Sequence, residues 1–543
     1  MKYKLYLLIL ILISLIPLLD LLHPGLTLTH DGRDHVARIA NFYENLSQGI
    51  LIPRWAPNLN WGYGHPILEF LYPLPSYVAS LFHYLNFSLV DSVKIVFALG
   101  MTLSGVGMFL WLSEIFSLEA GLIGGILYIF APYRFVNLYV RGDIGENFAF
   151  IFIPFVFLFL ALQAKKNNVF YILGGAVSLA CLILSHNAIS LMIMPLIIFY
   201  GLYLTHFLKD RREFIAAFLI ILICGFGLAT FFWVPALLEG KYTLRDLVTR
   251  GVYLGRFINL PALLYGPWSY GGTGQFSVQI GILHLGALLG SIIYMFKKIG
   301  LKERALLYGL ILYSFVAIFF MLPISTFIWA HVSLLQNFQF PWRFLAITVF
   351  TTSVLGAWIT TLVVKKYTKL YLVLIILFVL FINKDYWHAN GYLNNPQSFY
   401  TGIYDGTTDT GESAPVWSVR FMEHRAKAPL EVIDGIATIK VTKHDVVKHE
   451  YSVNASQRTL FLENTLYFPG WQILTDNKKT KIEFQNQTYR GLMMFYLEKG
   501  SHVVSVQYKD SRLRQIALFI SISSAIFLFS LVLLRKGFGK STK

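Results

Sequence analysis

Long apolar runs recur along the whole chain, and they restrict its fold more than any other feature of the sequence. A helix must be about 20 residues long to cross the ~30 Å hydrocarbon core of a bilayer. Runs of about that length lie near 5–25, 90–112, 118–136, 147–163, 169–185, 188–207, 213–237, 276–296, 304–322, 343–364, 369–382 and 515–535. The 543 residues are 56% hydrophobic and only 14% charged, unlike those of soluble domains. The sequence therefore predicts a polytopic α-helical membrane protein with about 12 transmembrane helices.

The basic residues predict how these spans are oriented. With twelve spans, the basic short connections all fall on the side of the N-terminus. Their cations are Lys165, Lys166, Lys209, Arg211, Arg212, Lys297, Lys298, Lys302, Arg304, Lys365, Lys366, Lys369, Arg535, Lys536 and Lys540. Because cytoplasmic loops are enriched in Lys and Arg, we expect a multi-pass plasma-membrane protein with both termini in the cytoplasm. No small-x-small cleavage site follows the first run, so we interpret that run as a retained span.

The net charge of +16 does not indicate a nucleic-acid partner. Much of it lies in the short cytoplasmic connections, where topology and contact with anionic membrane lipids account for it. Cys181 and Cys224 lie inside predicted spans, so they indicate no disulfide framework.

The composition divides the chain into three parts. Residues 1–382 form a membrane domain whose first outer loop covers 26–89, and residues 515–543 form the last span and a basic tail. Between them, residues 383–514 are poorer in apolar runs and contain alternating segments typical of antiparallel strands. These segments are "ATIKVTKHD", "HEYSVNA", "RTLFLEN", "MMFYLEKG" and "HVVSVQYKD". We expect 383–514 to be a β-sandwich-like domain on the outside of the membrane.

The first outer loop contains its own helix. Between residues 34 and 46 the apolar positions recur at helical spacing, and Gly49 follows, which predicts a helix lying along the membrane surface. The prolines and aromatic residues of 53–75 that come next predict a rigid stretch at interface depth.

Asp31 stands just past the first span, with His35 and Arg38 four and seven residues later on one helical face. A carboxylate in that place could serve as the general base for an incoming hydroxyl. Alternatively, Asp31 caps the helix, for which aspartate is well suited. Asp34 competes for the catalytic role because it lies nearer the predicted start of the helix.

Further polar residues collect at the predicted outer ends of spans. Arg141 could bind a phosphate through its planar guanidinium, or form a structural ion pair with Asp143 or Glu146. Arg343 could hold a lipid phosphate near Gln339, or extend towards the interface. His186, in "LSHN", is a candidate ligand, although a lone histidine is more often hydrogen-bonded scaffolding. A fourth outer loop carries Arg245, Arg250 and Arg256, which could line an anion site or belong to an ordinary solvated loop.

Several familiar signatures are missing. The sequence contains no Walker P-loop, no G-x-S-x-G, no H-E-x-x-H and no Cys/His set with zinc spacing. ATP-driven transport and zinc-dependent hydrolysis therefore lose support.

The order of several short motifs resembles that of GT-C-type membrane glycosyltransferases, most closely the YfhO-like bacterial and archaeal membrane proteins. These motifs are "G-x-x-x-P-R-W", "GYG-x-P-x-x-x-F-x-Y-P-x-P", "YVRGDIGENFAF", "LSHN", "FQFPWRF", "TGESAPVW" and "YFPGWQILTDNKK". The resemblance extends over nearly the whole chain. Related sequences are also labelled as membrane proteins related to 6-pyruvoyl-tetrahydropterin synthase. Because this chain shows no zinc-type histidine cluster, we do not expect pterin-forming chemistry from it.

The resemblance implies an outward-facing transferase that takes a sugar from a polyprenyl-phosphate donor and passes it to a glycan, lipid or protein acceptor. It implies that an acid of the first outer loop, here Asp31, is the base, and that Asp143 or Glu146 assists. With Asp34, these acids are the catalytic candidates. The substrate-binding candidates are His35, Arg38, Arg54, Arg141, His186, Gln339 and Arg343.

Some relatives bind a divalent cation through a paired acid in the first outer loop. The spacing of Asp31 and Asp34 is looser here, which leaves Mg²⁺ or Mn²⁺ open. A transporter or lipid flippase is the main rival function, but a carrier concentrates its polar residues near the bilayer midplane. In this sequence they collect at span ends and in outer loops. A non-catalytic envelope assembly protein with a glycan-binding outer domain is a third possibility.

Overall fold

The computed structural model describes residues 1–272, 275–297 and 299–538, with side chains described up to residue 534. Helices form most of the first 383 residues and the last segment. The α-helices are Lys2–Leu15, Gly32–Ser47, Ile67–Phe70, Leu74–Tyr84, Leu89–Ile115, Leu118–Ile129, Pro132–Phe135, Ile144–Lys165, Val169–Ser185, Asn187–Phe207, Arg211–Leu228, Thr230–Leu238, Arg245–Thr249, Leu260–Leu264, Ile282–Met295, Leu301–Met321, Thr326–His331, Ser333–Gln336, Leu345–Thr361, Thr368–Asn383, Gln397–Thr401 and Arg512–Phe538. Short 3₁₀ turns and one π-turn, Val136–Arg141, connect several of them.

Within the described ranges, eight helical segments are long and apolar enough to cross a membrane, or up to ten if each of two bent pairs is one span. The eight are Lys2–Leu22, Leu89–Ile115, Ile144–Lys165, Asn187–Phe207, Leu301–Met321, Pro341–Thr361, Lys365–Asn383 and Arg512–Leu534. The bent pairs are Leu118–Ile129 with Pro132–Arg141, at 47°, and Arg211–Leu228 with Thr230–Tyr242, at 66°.

The two remaining predicted runs correspond to shorter apolar helices, Val169–Ser185 and Ile282–Met295. The chain is therefore a polytopic helical membrane protein, as predicted. The number twelve and the orientation of the spans stay predictions. Of the cations used to orient them, Lys298 and Lys540 lie outside the described residues.

The helices Leu89–Ile115 and Leu118–Ile129 lie at the centre of the packing in the membrane domain. Leu89–Ile115 packs against both Leu118–Ile129 and Ile144–Lys165, and Leu345–Thr361 packs against Leu118–Ile129. Of the most apolar stretch of Pro341–Thr361, 89% is buried inside the protein, whereas the corresponding figure for Arg512–Leu534 is 17%. The segment Pro341–Thr361 is therefore held deep in the bundle, while the last span is mostly left to face lipid.

The helix of the first outer loop is Gly32–Ser47, close to its predicted position, and its location at the membrane surface stays a prediction. Ten of its sixteen residues are buried, including Arg38, Asn41 and Asn45. The segment 404–409 and the helix Leu74–Tyr84 pack onto it and cover part of its polar face. Helical periodicity records one apolar face, and it cannot say that protein also covers the polar face.

The C-terminal domain is β-rich, as predicted. Its strands, together with a short pair between the first outer loop and residue 392, are β1 Leu26–Thr27, β2 Tyr392–Leu393, β3 Leu430–Asp434, β4 Ala437–His444, β5 Lys448–Ala455, β6 Thr459–Leu466, β7 Trp471–Thr475, β8 Lys478–Thr480, β9 Leu492–Leu497 and β10 Gly500–Tyr508. One antiparallel sheet has the order β4-β5-β10-β7-β8 and another the order β3-β6-β9. Buried side chains of both sheets share one core.

The aromatic stretch of the first outer loop belongs partly to this core. Trp55 and Tyr63 are buried with the β-domain residues, and the rings of Trp55 and Trp471 lie 5.3 Å apart, edge to face. The depth of this stretch relative to the membrane stays a prediction. Through these two rings the loop ties the β-rich domain to the membrane domain.

Candidate functional site

Three helical segments of the membrane domain begin next to one another, and each brings a polar side chain to the same place. Asp143 precedes Ile144–Lys165, and its Oδ1 accepts the backbone N–H of Glu146 at 2.8 Å. His186 precedes Asn187–Phe207, and its Nδ1 accepts the N–H of Ile189 at 3.2 Å. Arg343 lies in the first turn of Pro341–Thr361. Helix capping thus places Asp143 and His186 at this shared edge.

Arg141 and Glu146 form the centre of this group. The Arg141 guanidinium lies 2.5 Å from Asp143 Oδ2 and 3.0 Å from Glu146 Oε2. Glu146, whose side chain is fully buried, also lies 3.0 Å from Arg343 Nε. Arg141 therefore forms ion pairs with both Asp143 and Glu146, where the sequence suggested a pair with one of them. Arg343 forms an ion pair with Glu146.

Neutral side chains complete the network. Tyr133 donates its hydroxyl proton to Glu146 Oε2 at 2.7 Å, and Asn137 donates to the same oxygen at 3.1 Å. Asn137 also accepts from Arg141 at 2.7 Å, and the Trp342 ring lies 4.5 Å from the Arg141 guanidinium. Buried charges need such partners, because an unpaired charge out of water costs several kcal/mol.

The backbone after the π-turn brings the first outer loop to this network. Gly142 has φ +69°, and a Cβ there would lie 2.3 Å from the Thr29 hydroxyl oxygen. The amides of His30 and Asp31 donate to the carbonyls of Val140 and Arg141 at 3.0 and 2.8 Å. A left-handed residue without a side chain is needed for this close approach, which sets Asp31 beside the ion-pair network.

Asp31 is the N-terminal flanking residue of Gly32–Ser47, but its side chain does not cap that helix. Within the described ranges, its carboxylate has no hydrogen-bonding partner. The nearby charges are those of Arg141, Asp143, Arg38 and Asp34. Burial raises the pKa of Asp31 above its ordinary value, against the opposing effect of Arg141.

The other acids near this edge are already occupied. Asp34 accepts a hydrogen bond from the Tyr404 hydroxyl at 2.8 Å. Although burial opposes ionisation, the guanidinium groups of Arg141 and Arg343 hold the pKa of Asp143 well below its usual range. Asp143 therefore stays ionised, and both of its oxygens have partners.

His35 and Arg38 link the helix Gly32–Ser47 to its surroundings. Arg38 donates to His35 Nδ1 at 3.0 Å, to Thr408 Oγ1 at 3.2 Å and to the Thr408 carbonyl. Burial lowers the pKa of His35 to about 3, so its ring is neutral. The Arg38 guanidinium thus joins the first outer loop to the segment that leads into the β-rich domain.

Two sequence candidates lie apart from the ion-pair network. The Arg54 guanidinium lies 2.9 Å from Glu69 and 3.2 Å from Asp510 in a second buried cluster, which Arg514 and Glu239 complete with a 2.6 Å contact. Gln339 occupies a turn with φ +61°, and within the described residues its side chain makes no hydrogen bond.

Asp143, Glu146 and His186 could together hold a metal ion, since their ligand atoms lie within 4.8 Å of one another. Their present bonding does not fit one. Both carboxylates already contact guanidinium groups, and burial lowers the pKa of His186 to about 4. Its Nδ1 accepts an amide proton, so the neutral ring carries its proton on Nε2, 3.9 Å from Asp143. A cation would have to displace Arg141 and change this tautomer.

Several residues of this site were not predicted from the sequence. Tyr133, Asn137, Trp342 and Tyr72, which donates to Asp143 Oδ1 at 3.4 Å, all contact its charged groups or lie against them. Tyr72 and Trp342 belong to the quoted motifs, but uncharged side chains in apolar surroundings look like core residues. For Tyr133, Asn137 and Trp342 the available signal was their proximity in sequence to Arg141, Asp143 and Arg343.

The chain has recognisable relatives. Residues 68–390 match the model of a family described as "6-pyruvoyl-tetrahydropterin synthase related domain; membrane protein". An uncharacterized protein of Lactococcus lactis subsp. cremoris (strain MG1363) is 25% identical over 311 residues, which are 55% of this chain and 51% of that protein. The match thus spans about half the length of this curated relative.

Solved structures of three membrane proteins are also similar, at low identity. The Archaeoglobus fulgidus oligosaccharyltransferase, in complex with Zn and sulfate, has a TM-score of 0.49 at 16% identity, covering 77% of this chain and 59% of that one. Arabinofuranosyltransferase AftD from Mycobacteria has a TM-score of 0.47 at 14% identity, covering 73% and 28%. ArnT from Cupriavidus metallidurans, bound to undecaprenyl phosphate, has a TM-score of 0.31 at 12% identity, covering 65% and 77%. These scores are too low to transfer a fold or a function.

Proposed function

The chain belongs to the family of membrane proteins with a 6-pyruvoyl-tetrahydropterin synthase related domain, and we propose that it is a glycosyltransferase. It takes a sugar from a polyprenyl-phosphate donor on the outer side of the membrane. The acceptor is a hydroxyl group of an envelope glycan, a lipid or a protein. Pterin-forming chemistry is not part of the proposal, because the one group of three potential metal ligands within the described residues contains a single histidine.

One observation carries the proposal. Of the four acids at this membrane edge, Asp31 alone is without a hydrogen bond to its carboxylate in the described part of the chain, while Asp34, Asp143 and Glu146 are occupied. A general base needs a free oxygen within reach of the hydroxyl that it deprotonates, and a pKa nearer the working pH. Burial changes the pKa of Asp31 in that direction.

Arg343 is the better of the two candidate ligands for the donor phosphate. Its Nε contacts Glu146 and its Nη1 donates to the Phe338 carbonyl at 3.0 Å, whereas its Nη2 makes no hydrogen bond within the described ranges. Its side chain is 13% exposed, against 5% for Arg141. A guanidinium with a free edge can bind a phosphate oxygen. Arg141, which is bound on several sides, positions Asp143 and Glu146.

The reaction follows from these roles as a single displacement. The acceptor oxygen attacks the anomeric carbon while its proton passes to the Asp31 carboxylate. The bond between that carbon and the phosphate oxygen breaks, and its electron pair leaves with the polyprenyl phosphate, whose charge Arg343 stabilises. Attack opposite the leaving group inverts the configuration at the anomeric carbon.

The test compares two aspartates of the same loop in purified protein reconstituted into liposomes. Asp31→Asn removes the proposed base, and Asp34→Asn, which should cost much less, is the matched control. Transfer is measured as radiolabel moving from a polyprenyl-phosphate-linked monosaccharide to acceptor extracted from the envelope. Mass analysis of envelope glycans from cells with and without the protein identifies the product. An active Asp31→Asn variant would show that the base has been assigned wrongly.

A further inference from the structure

A groove that shares no lining residue with the ion-pair network has the chemistry of a carbohydrate site. We call it the Trp417 groove, and it is lined by Val416, Trp417, Gln485, Asn486, Gln487 and Arg490. Its volume is about 510 Å³. Small-molecule sites typically measure roughly 300–1,000 Å³ and combine an apolar surface with a few polar groups that point to one place.

Aromatic packing holds Trp417 in place. The Trp417 ring lies 5.4 Å from that of Tyr467 and 5.1 Å from that of Phe484, edge to face in both pairs. Tyr467 and Phe484 stack on each other at 3.7 Å. Tyr242 of the membrane domain lies at 5.9 Å in a stacked arrangement. A rigid indole that is still partly exposed offers apolar surface at little entropic cost.

The loop that forms the opposite wall is also fixed. Asn486 Oδ1 accepts the backbone N–H groups of Thr488 and Tyr489, at 2.8 and 3.2 Å. Arg490 Nε donates to the Gln487 carbonyl at 3.3 Å. Gly491, with φ +77°, closes the loop by donating its backbone N–H to the Phe484 carbonyl at 3.2 Å. The remaining amide and guanidinium groups can therefore meet a ligand without further ordering of the loop.

The groups that line the groove select the kind of ligand. They comprise three carboxamides, one guanidinium and one indole, with no acid among them. A carboxamide both donates and accepts hydrogen bonds, as a sugar hydroxyl does, and the indole suits the apolar face of a sugar ring. With Arg490 as its one cation, the groove should bind an anionic ligand weakly. Two apolar side chains are far too little for a protein interface, which usually buries more than about 1,000 Å².

The groove lies where the β-rich domain meets the membrane domain. The Val416 amide donates to the Tyr242 carbonyl at 3.0 Å, and Pro415 pairs with Thr243. Tyr242 ends the bent pair that begins at Arg211. A saccharide in the groove would therefore be held next to the membrane domain, on the side predicted to face outward. The "TGESAPVW" motif, which has no role in the proposed reaction, ends in this wall.

We propose that the Trp417 groove binds a neutral, hydroxyl-rich saccharide, with one sugar ring on Trp417 and its hydroxyls on the carboxamides and Arg490. This site is separate from that of the transfer reaction. If the protein is the proposed transferase, the groove holds the acceptor glycan.

The test uses the full-length protein in nanodiscs, without any donor. Probes are maltotetraose, cellotetraose, mannotetraose and galactotetraose, and a heparin tetrasaccharide is the anionic control. Gln485→Ala with Gln487→Ala removes hydrogen-bonding groups without touching the aromatic packing, and affinity should fall about tenfold. Trp417→Ala should lose more. Tyr496→Ala, an exposed aromatic residue elsewhere in the domain, is the matched control and should bind like wild type.

Melting temperatures show whether the Trp417→Ala variant is folded. If Trp417→Ala does not fold, the affinity of the Gln485→Ala with Gln487→Ala variant still tests the proposal. The proposal is overturned if no neutral oligosaccharide binds, if the double variant binds like wild type, or if only heparin binds. Because transfer is not measured, a protein that transfers no sugar could still bind saccharides. The two proposals can therefore fail separately.

Discussion

The two arginines of the ion-pair network should respond differently to replacement, because their partners differ. Arg141 contacts two carboxylates, at 2.5 and 3.0 Å, and all three side chains are at most 5% exposed. Arg141→Ala would leave Asp143 and Glu146 short of positive charge, and breaking a buried pair in this way costs about 3–5 kcal/mol. Arg343→Ala removes one ion pair with Glu146, which keeps Arg141, Tyr133 and Asn137. The loss of one hydrogen bond to a charged group is roughly 1.5–3 kcal/mol.

Donor binding should show the opposite order in those variants that fold. Arg343→Ala should bind a polyprenyl-phosphate-linked monosaccharide much more weakly, because it loses the guanidinium Nη2, which makes no hydrogen bond within the described residues. Arg343→Lys keeps the charge without the planar fork and should lose only part of the affinity. Arg141→Lys should bind the donor better than Arg343→Ala while being less stable than wild type.

Thermal unfolding in detergent, followed by intrinsic fluorescence, measures the first effect, and donor titration of the same samples measures the second. Circular dichroism confirms folding before titration. Equal destabilisation by the two alanine variants would refute the assignment of Arg141 as the structural centre. Unchanged donor affinity in Arg343→Ala would refute its role as phosphate ligand, and would direct attention to the basic loop at Arg245, Arg250 and Arg256.

The rate of transfer should fall with decreasing pH through the pKa of Asp31, since a base must be ionised. Because the pKa of Asp31 is raised, the decrease of kcat/KM on the acid side should have its midpoint above pH 3.8, the ordinary pKa of aspartate. A midpoint below pH 3.8 would contradict the proposed base. The same burial opposes ionisation in the folded state, so Asp31→Asn should not lower the melting temperature at neutral pH. Transfer should survive EDTA, given the bonding of the three potential metal ligands; loss of activity that Mg²⁺ or Mn²⁺ restores would overturn this expectation. In a background without the native cysteines, a cysteine at Asn454 should react with a membrane-impermeant reagent from outside and one at Lys209 should not, and the reverse would invert the topology. Gly142→Ala should destabilise more than Gly49→Ala, because both residues have positive φ but only Gly142 lies against other atoms; equal melting temperatures would show that the close approach is not required.

The sequence by itself determined the class of the protein. Apolar runs too long for a soluble core require a membrane, since buried backbone groups in lipid must be satisfied within helices. Alternation in 437–510 likewise predicted several strands of the β-rich domain, because a period of two places one face in a core. Such information is local, and it survives without knowledge of what packs against it.

The candidate site divides along the same line. Asp31, Asp143, Glu146 and Arg343 could be named from the sequence because charges at span ends are costly and so stand out. Only the tertiary structure showed that, within the described residues, the carboxylate of Asp31 accepts no hydrogen bond while the other acids do. That distinction depends on contacts between residues far apart in the chain, such as Glu146 with Arg343 and Asp34 with Tyr404.

The same reason explains what the sequence could not reveal. Arg54 follows the motif pattern of a site residue, yet the fold brings it to Glu69 and Asp510 in a different cluster. The helix Gly32–Ser47 has the pattern of a surface helix, yet residues some 370 positions away cover it. Periodicity and spacing report which face of an element is apolar. Which segment packs against that face is determined only when distant parts of the chain come together. The same packing determines the partners of each polar side chain, and therefore its charge and its possible role.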